Sequence, residues 1–251
     1  DLVRSRGLGD VYKRQLESVL WTEEIVVLDS FSTDSTVAIC REYTERVYQQ
    51  AWKGHIEQKN DCLLLAKHDW VLCLDADEQV STKLREEIFA EFSPPGPVFD
   101  GYFFPRHSYF FGKWIEHGGW YPDYKLRLFR KERGRWGGIN PHDRIVLDGR
   151  ARYLRNDLLH FTYRNASEQL RAIDNFSTVW AQEMNRRGKR FSRIEMAFRP
   201  PVKFLETYFY KRGILDGLPG FLIACGYAYQ VLLRYAKLGE LQLEQAGGKT
   251  A

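Results

Sequence analysis

Two carboxylates set two residues apart, Asp75 and Asp77, close the segment Trp70-Val71-Leu72-Cys73-Leu74-Asp75-Ala76-Asp77-Glu78. A short, wholly apolar run predicts a strand over 70–74, buried on both faces as in a parallel sheet. Acidic groups where such a strand ends stand at the rim of the sheet, where open α/β folds bind ligands. Carboxylates beside a core need a partner, and a divalent cation is the natural one. A cation held there could neutralise a diphosphate. Asp is also a common turn residue, so the spacing alone leaves a plain surface turn open.

The elements around this pair follow a regular order. Glu24-Ile25-Val26-Val27-Leu28 predicts a buried strand ending in Asp29, and Ser30-Phe31-Ser32-Thr33-Asp34-Ser35-Thr36 a turn rich in helix caps. A helix is expected from there to about Glu45, a second over Ile56 to Ala66 and a third from about Thr82 to Phe92. Leu16, Val19 and Leu20 fit one face of a short earlier helix. Strands alternating with helices indicate a parallel, doubly wound sheet. After Pro94-Pro95-Gly96-Pro97 the pattern changes. Gly101–Phe104, Lys125–Phe129 and Arg144–Leu147 predict strands separated by Gly-rich turns. Asn165-Ala166-Ser167-Glu168 has the form of a capping box. The helix behind it carries Leu170, Ile173, Phe176, Val179 and Trp180 and stops near Gly188.

Composition describes an enzyme-sized chain of 251 residues with an ordinary apolar content. A net charge of +4 is too mild to call for nucleic acid. Cys40, Cys62, Cys73 and Cys225 have no metal-type spacing and are expected as reduced, buried thiols. Residues 1–13 show neither strand alternation nor helical periodicity where an α/β domain should open with an apolar strand. They are expected to be a non-native or disordered leader standing in place of a lost first strand.

The order Glu24-Ile25-Val26-Val27-Leu28-Asp29-Ser30-Phe31-Ser32-Thr33-Asp34, then Gln58-Lys59-Asn60, then Leu74-Asp75-Ala76-Asp77-Glu78 resembles family 2 glycosyltransferases of the GT-A fold. Gly119-Trp120-Tyr121-Pro122-Asp123, Arg127-Leu128-Phe129-Arg130 and Pro141-His142-Asp143-Arg144-Ile145 are similar to the lipopolysaccharide-core β-1,4-glucosyltransferase subgroup. The resemblance spans about residues 14–240. It implies a Rossmann-like mixed sheet flanked by helices, with a helical C-terminal extension. It divides the chain into a catalytic domain over 14–165 (nucleotide half 14–93, acceptor half 98–165) and a helical region over 166–251. The family's first strand, ending in a Thr-x-Asn-Glu-like turn that helps hold the nucleotide, is missing, so weak donor binding is expected.

The resemblance also assigns roles. Such a transferase must bind a base, neutralise a leaving diphosphate and deprotonate an acceptor hydroxyl. Asp29 and Ser30 fall at the base, Lys59 against the donor, and Asp75 at the ribose or metal shell. Asp77 is the direct ligand of Mg²⁺ or Mn²⁺. Side chains of adjacent residues on an extended segment point opposite ways, so His142 and Asp143 have separate jobs. Asp143 is the expected general base and His142 a further metal or phosphate contact. Trp120 and Tyr121 could stack on an acceptor sugar. Arg127 and Arg130 could meet anionic groups on it. A single in-line base implies inversion. The implied partners are a nucleotide sugar, with UDP-sugar expected, and a glycolipid acceptor, with no nucleic acid.

The C-terminal stretch bears on location. Phe221 to Leu233 is an apolar run of about thirteen residues, short of the roughly 20 that span a bilayer. Its aromatic and basic flanks suit a segment at a membrane interface, over about 203–237, although a core helix would carry the same run. The expected setting is the cytoplasmic side of the inner membrane of a Gram-negative-type bacterium. Two other functions compete. A haloacid-dehalogenase-type phosphatase also uses Asp-x-Asp after an apolar strand, but there the motif opens the domain. A non-catalytic sugar- or membrane-binding protein would tolerate the missing strand.

Overall fold

The computed structural model describes residues 8–139, 142–163 and 165–247. The chain divides into two compact units. The first takes in the chain up to His107 together with Asp123–Phe161, and the second holds Ser108–Pro122 and the chain from Thr162 onward.

The first unit opens with helix α1 (Leu8–Glu17), which begins six residues before the periodicity that starts at Arg14. Tyr12, Leu16 and Val19 are buried at i, i+4 and i+7, one helical face. Leu20 lies beyond the helix and is exposed. Residues 1–7 of the expected leader lie outside the described residues. Strand β1 (Val27–Asp29) follows, then α2 (Thr36–Arg41), β2 (Val47–Gln49), α3 (His55–Leu65), β3 (Trp70–Leu72), β4 (Glu78–Val80) and α4 (Thr82–Phe92). Helix α2 stops at Arg41, four residues short of the predicted Glu45, and the unpredicted strand β2 follows. The Thr44 hydroxyl donates to the Ile25 carbonyl and accepts the Arg46 N–H, which turns the chain out of the helix.

The chain continues with β5 (Gly101–Phe110), β6 (Lys113–Trp114), β7 (Asp123–Arg130), β8 (Gly134–Ile139), β9 (His142–Leu147), β10 (Ala151–Tyr153) and β11 (Leu158–Phe161). The sheet is mixed. Strands β1 and β2 form a separate two-stranded parallel pair, the parallel order that βα alternation predicts. Strand β3 departs from that expectation: it sits at the end of the order β3-β7-β5-β11-β4 and pairs antiparallel with β7. It is half-buried rather than covered on both faces. Strand β10 joins β5 in parallel, and β8 and β9 form a separate antiparallel hairpin. One core gathers Leu84, Ile88, Tyr102, Phe104, Leu154 and Leu158 on the α4 side of the sheet. Another gathers Leu63, Phe129, Trp136 and Ile145 between α3 and the hairpin.

In the second unit, the last residues of β5 pair with β6, and Phe110, Ile115 and Ile223 form a small core. Helix α5 (Ala166–Arg186) starts at Asn165, whose side chain accepts the Glu168 N–H as the capping pattern predicts. Its buried face is Ala172, Ile173, Ser177 and Ala181, while Leu170, Phe176 and Val179 face outward. Helix α6 (Arg193–Leu205) runs on through one wide turn, Glu206–Tyr210. Helix α7 (Leu218–Gly247) packs against α5 and α6 and buries Ile223, Ala224, Tyr235 and Leu238. Among the described residues no helix is long and apolar enough to cross a membrane.

Candidate functional site

The chain leaves the sheet just after β3. The Cys73 N–H still donates to the Arg127 carbonyl of β7, and two residues later Asp75 stands free of the ladder. The turn that follows is closed from both ends. The Glu78 N–H donates to the Asp75 carbonyl, and the Asp75 N–H donates to Oε2 of Glu78. Glu78 is fully buried and Arg127 nearly so, which an isolated charge would not tolerate. They are tolerated because they pair. The Arg127 guanidinium donates to Oδ2 of Asp75 at 2.5 Å and to Oε1 of Glu78 at 2.6 Å. Burial would raise the Asp75 carboxyl, but Arg127 and Lys59 hold it far below the usual range. Burial likewise opposes the charge on Arg127, and Glu78 and Asp75 more than restore it.

Helix α3 completes the cluster with three successive residues. Neighbours on a helix are turned by about 100°, so Gln58, Lys59 and Asn60 point three ways. Gln58 donates to the Ser30 hydroxyl in the loop after β1. Asn60 exchanges two hydrogen bonds with the backbone of Trp136, at 3.0 Å each, which clamps β8 to the helix. Lys59 lies between these, 2.7 Å from Asp75 Oδ1, 2.8 Å from Asp143 Oδ2 and 4.2 Å over the Trp136 ring. One cation therefore joins carboxylates 68 positions apart in the chain. Asp143 reaches it because β9 turns Asp143 and Ile145 to the same side, and Ile145 is core. Opposite Asp143 sits Gly138 at φ +110°, a conformation that suits glycine. The side chain of His142 lies outside the described residues.

Asp29 closes its own loop. Its carboxylate accepts the Ser32 N–H and hydroxyl and a Gln49 side-chain N–H. Burial would raise its pKa, but those donors bring it below the ordinary value. Asp77 is more open and lies 3.2 Å from Nε2 of His160. That contact follows from register: β11 runs antiparallel to β4 with His160 opposite Glu78, and the Asp77 carbonyl accepts the Phe161 N–H.

The glycosyl transferase family 2 profile matches residues 12–149, from α1 to just past the β8–β9 hairpin, and so takes in every residue of this cluster except His160. The chain belongs to that family. It is a glycosyltransferase. The lipopolysaccharide core biosynthesis glycosyltransferase LpsC of Rhizobium meliloti is 31% identical over 230 residues, covering 89% of this chain and 85% of the relative. Uncharacterized glycosyltransferases of Rickettsia bellii and Rickettsia typhi are 31% and 29% identical, each covering close to nine-tenths of this chain. Among solved structures, S. aureus TarS 1–349 covers 94% of this chain and 89% of its own at 13% identity and a TM-score of 0.44, a likeness too faint to assign any residue.

Family 2 membership removes the phosphatase reading and the purely binding one. The geometry agrees on the first: both Asp75 oxygens are engaged by cations, a poor state for a nucleophile. The remaining expected residues divide. Arg127 is buried and committed to Asp75 and Glu78, so it braces the acidic turn and does not present its charge to an acceptor. Arg130 is opposite Trp70, at the far end of β3 from Asp75, with its guanidinium 4.9 Å over that ring. Trp120 packs beside Phe110 and Tyr163 within the second unit, and Tyr121 precedes a cis Pro122. Three contributors escaped the sequence: His160, Trp136 and Arg106, which pairs with Asp123 and Glu78. A lone His in the apolar run Leu158-Leu159-His160-Phe161 was the signal for the first. The other two carry none.

Proposed function

We propose that this glycosyltransferase moves a hexose such as glucose, with inversion, from a UDP-sugar to a lipopolysaccharide-core glycolipid at the cytoplasmic face of the inner membrane. The observation that carries the reading is the cation Lys59 held between Asp75 and Asp143, with Asp77 two residues after Asp75. The acceptor class rests on the name of the LpsC relative.

The residues present suit a divalent cation. Asp77 is a half-exposed carboxylate with an imidazole 3.2 Å away, and among the described residues no group of three potential ligands surrounds it. Mg²⁺ and Mn²⁺ take few protein ligands and complete their shell with substrate phosphates, so Asp77 with His160 is a sufficient foothold. A cation there would neutralise the diphosphate as it leaves. Asp29 and Ser30 hold the base end of the donor. Lys59 contributes positive charge near the phosphates and fixes Asp143. Lys59 engages Oδ2 of Asp143, and among the described residues nothing bonds Oδ1, which is proposed to take the proton of an acceptor hydroxyl. Trp120 and Tyr121, in the second unit, are rings of a kind that stacks on sugars.

The test is turnover of UDP-sugars with a lipopolysaccharide-core acceptor, with the anomer of the product read by NMR. Asp143→Asn keeps the shape but cannot take a proton, so transfer should fall by about 10²–10⁴-fold with donor affinity nearly unchanged. Near-full turnover in that variant, or an α-linked product from an α-linked donor, would overturn the role given to Asp143.

A further inference from the structure

The second unit carries a stripe of outward-facing apolar side chains on α6, more exposed than the run Phe221 to Leu233, where Phe221, Tyr229 and Leu232 stand at 42%, 45% and 38%. Ile194 is 72% exposed, Phe198 68%, Val202 61% and Leu205 53%. At about 100° per residue these four fall within one narrow stripe. Phe209 and Tyr210 continue it into the wide turn that follows, at 54% and 84%. Large apolar side chains at that spacing normally mark the buried face of a helix, and here α6 buries its other side against α7.

The charge around this stripe narrows the partner. Residues 186–212 hold nine basic side chains against two acidic ones, a local charge of +7 in a chain whose total is +4. Both acids are used up locally: Glu195 pairs with Lys189 and Arg199, and Glu206 with Lys203 and Lys211. Arg190, Arg193 and Arg212 are exposed and make no ion pair among the described residues. A second copy of the same surface would bring like charges together. An anionic bilayer would match both features at once, with apolar side chains in the acyl boundary and arginines among the headgroups.

We infer that α6, with Phe209 and Tyr210, is a membrane-docking face that lies flat on an anionic lipid surface. Helix α7 is then the support: Phe221 meets Phe204 and Tyr208, Tyr227 lies under Lys203 and Tyr235 under Arg199, so that α7 holds α6 from behind. The inference extends the proposed glycolipid acceptor, yet it stands on α6 alone. Vesicle binding is measured without donor or acceptor, so its failure and that of the transferase reading are separate results.

The experiment is flotation of the full chain with vesicles of phosphatidylglycerol and phosphatidylethanolamine, against vesicles of phosphatidylcholine. The wild type should float with the anionic vesicles, much less with the neutral ones, and less at high salt. Phe198→Glu with Val202→Glu should cut binding by about tenfold or more, since each aromatic or aliphatic anchor is lost. Arg190→Glu with Arg193→Glu should cut it by at least about fivefold for each arginine. Phe198→Ser with Val202→Ser serves if the charged pair perturbs folding. The inference fails if the wild type stays in solution with both vesicles, or if the apolar variants bind as the wild type does. It also fails if the face proves to join two copies: a dimer that Phe198→Glu dissolves, with no vesicle binding.

Discussion

The two units break the ordinary rule of burial in opposite directions. The first puts charge inside: Glu78 is 0% and Arg127 4% exposed, in contact with each other beneath Asp75. The second puts apolar groups outside, along α6 from Ile194 to Leu205. Lys, Arg and Glu are almost never fully buried unless paired, and large apolar patches are rarely left exposed without a use. Both departures cost stability, so each points to something the fold must accomplish. Inside, the ion pairs fix two carboxylates at the rim of the sheet. Outside, the stripe is the face proposed to dock on a lipid surface.

The difference is sharpest where one charge is removed. Arg127→Met should destabilise the protein by about 3–5 kcal/mol, because buried Glu78 is left with only Arg106, 3.4 Å away and shared with Asp123, to offset its charge. Arg130→Met, only three residues on, should cost no more than about 1 kcal/mol, since its partner Asp100 lies 3.8 Å away and both side chains are partly exposed. Chemical denaturation of the two variants checks this. Equal losses would show that the Arg127 network does not hold the acidic turn.

Acid should act on the same network. Asp29, Asp75 and Asp123 all have folded pKa values below the ordinary carboxyl value. For Asp123, burial pushes up while Arg106 and Lys125 pull down and prevail. Groups with depressed folded values contribute stability that is fully present above the unfolded value of about 3.9. That contribution is lost as pH falls through the folded values. The denaturation midpoint should therefore hold steady from neutral pH to about 5 and drop below about 4. A midpoint that rises on acidification would contradict the ion-pair account.

At the small end, Phe198→Ser should shift stability by no more than about 0.5 kcal/mol, because the residue is 68% exposed. A loss of several kcal/mol would mean that α6 turns this face to a core.

Much of this was legible in the residues, for reasons that can be named. Asp75 and Asp77 showed because an apolar run ending in carboxylates has few uses, and Lys59 because it sits in an ordered motif. Asn165 announced its helix by chemistry that is local. What failed was nonlocal. Nothing near Trp70 says that its strand pairs antiparallel with one 58 residues later, and that pairing is what buries Arg127 beside Asp75. The same lack of local signal hid Trp136, which meets Lys59 only through the clamp from Asn60. The expected interface segment over about 203–237 takes in only the end of the α6 stripe, because hydropathy ranks Phe221 to Leu233 above Ile194, Phe198 and Val202. Longer and more apolar, that run was the better candidate for a core, and a core is what Ile223 and Ala224 form.

The central claim is that Asp77, beside the Asp75–Lys59–Asp143 cluster, holds the metal that receives a nucleotide sugar. Its most direct test is thermal melting with a panel of UDP-sugars, with and without Mn²⁺, on the wild type and on Asp77→Ala. The account predicts a melting-temperature rise in the wild type that needs both sugar nucleotide and Mn²⁺. It predicts loss of the Mn²⁺-dependent part in Asp77→Ala. The unliganded melting temperature should be unchanged, because the Asp77 side chain is 42% exposed and removing it opens no core. A full Mn²⁺-dependent rise in Asp77→Ala would contradict the account.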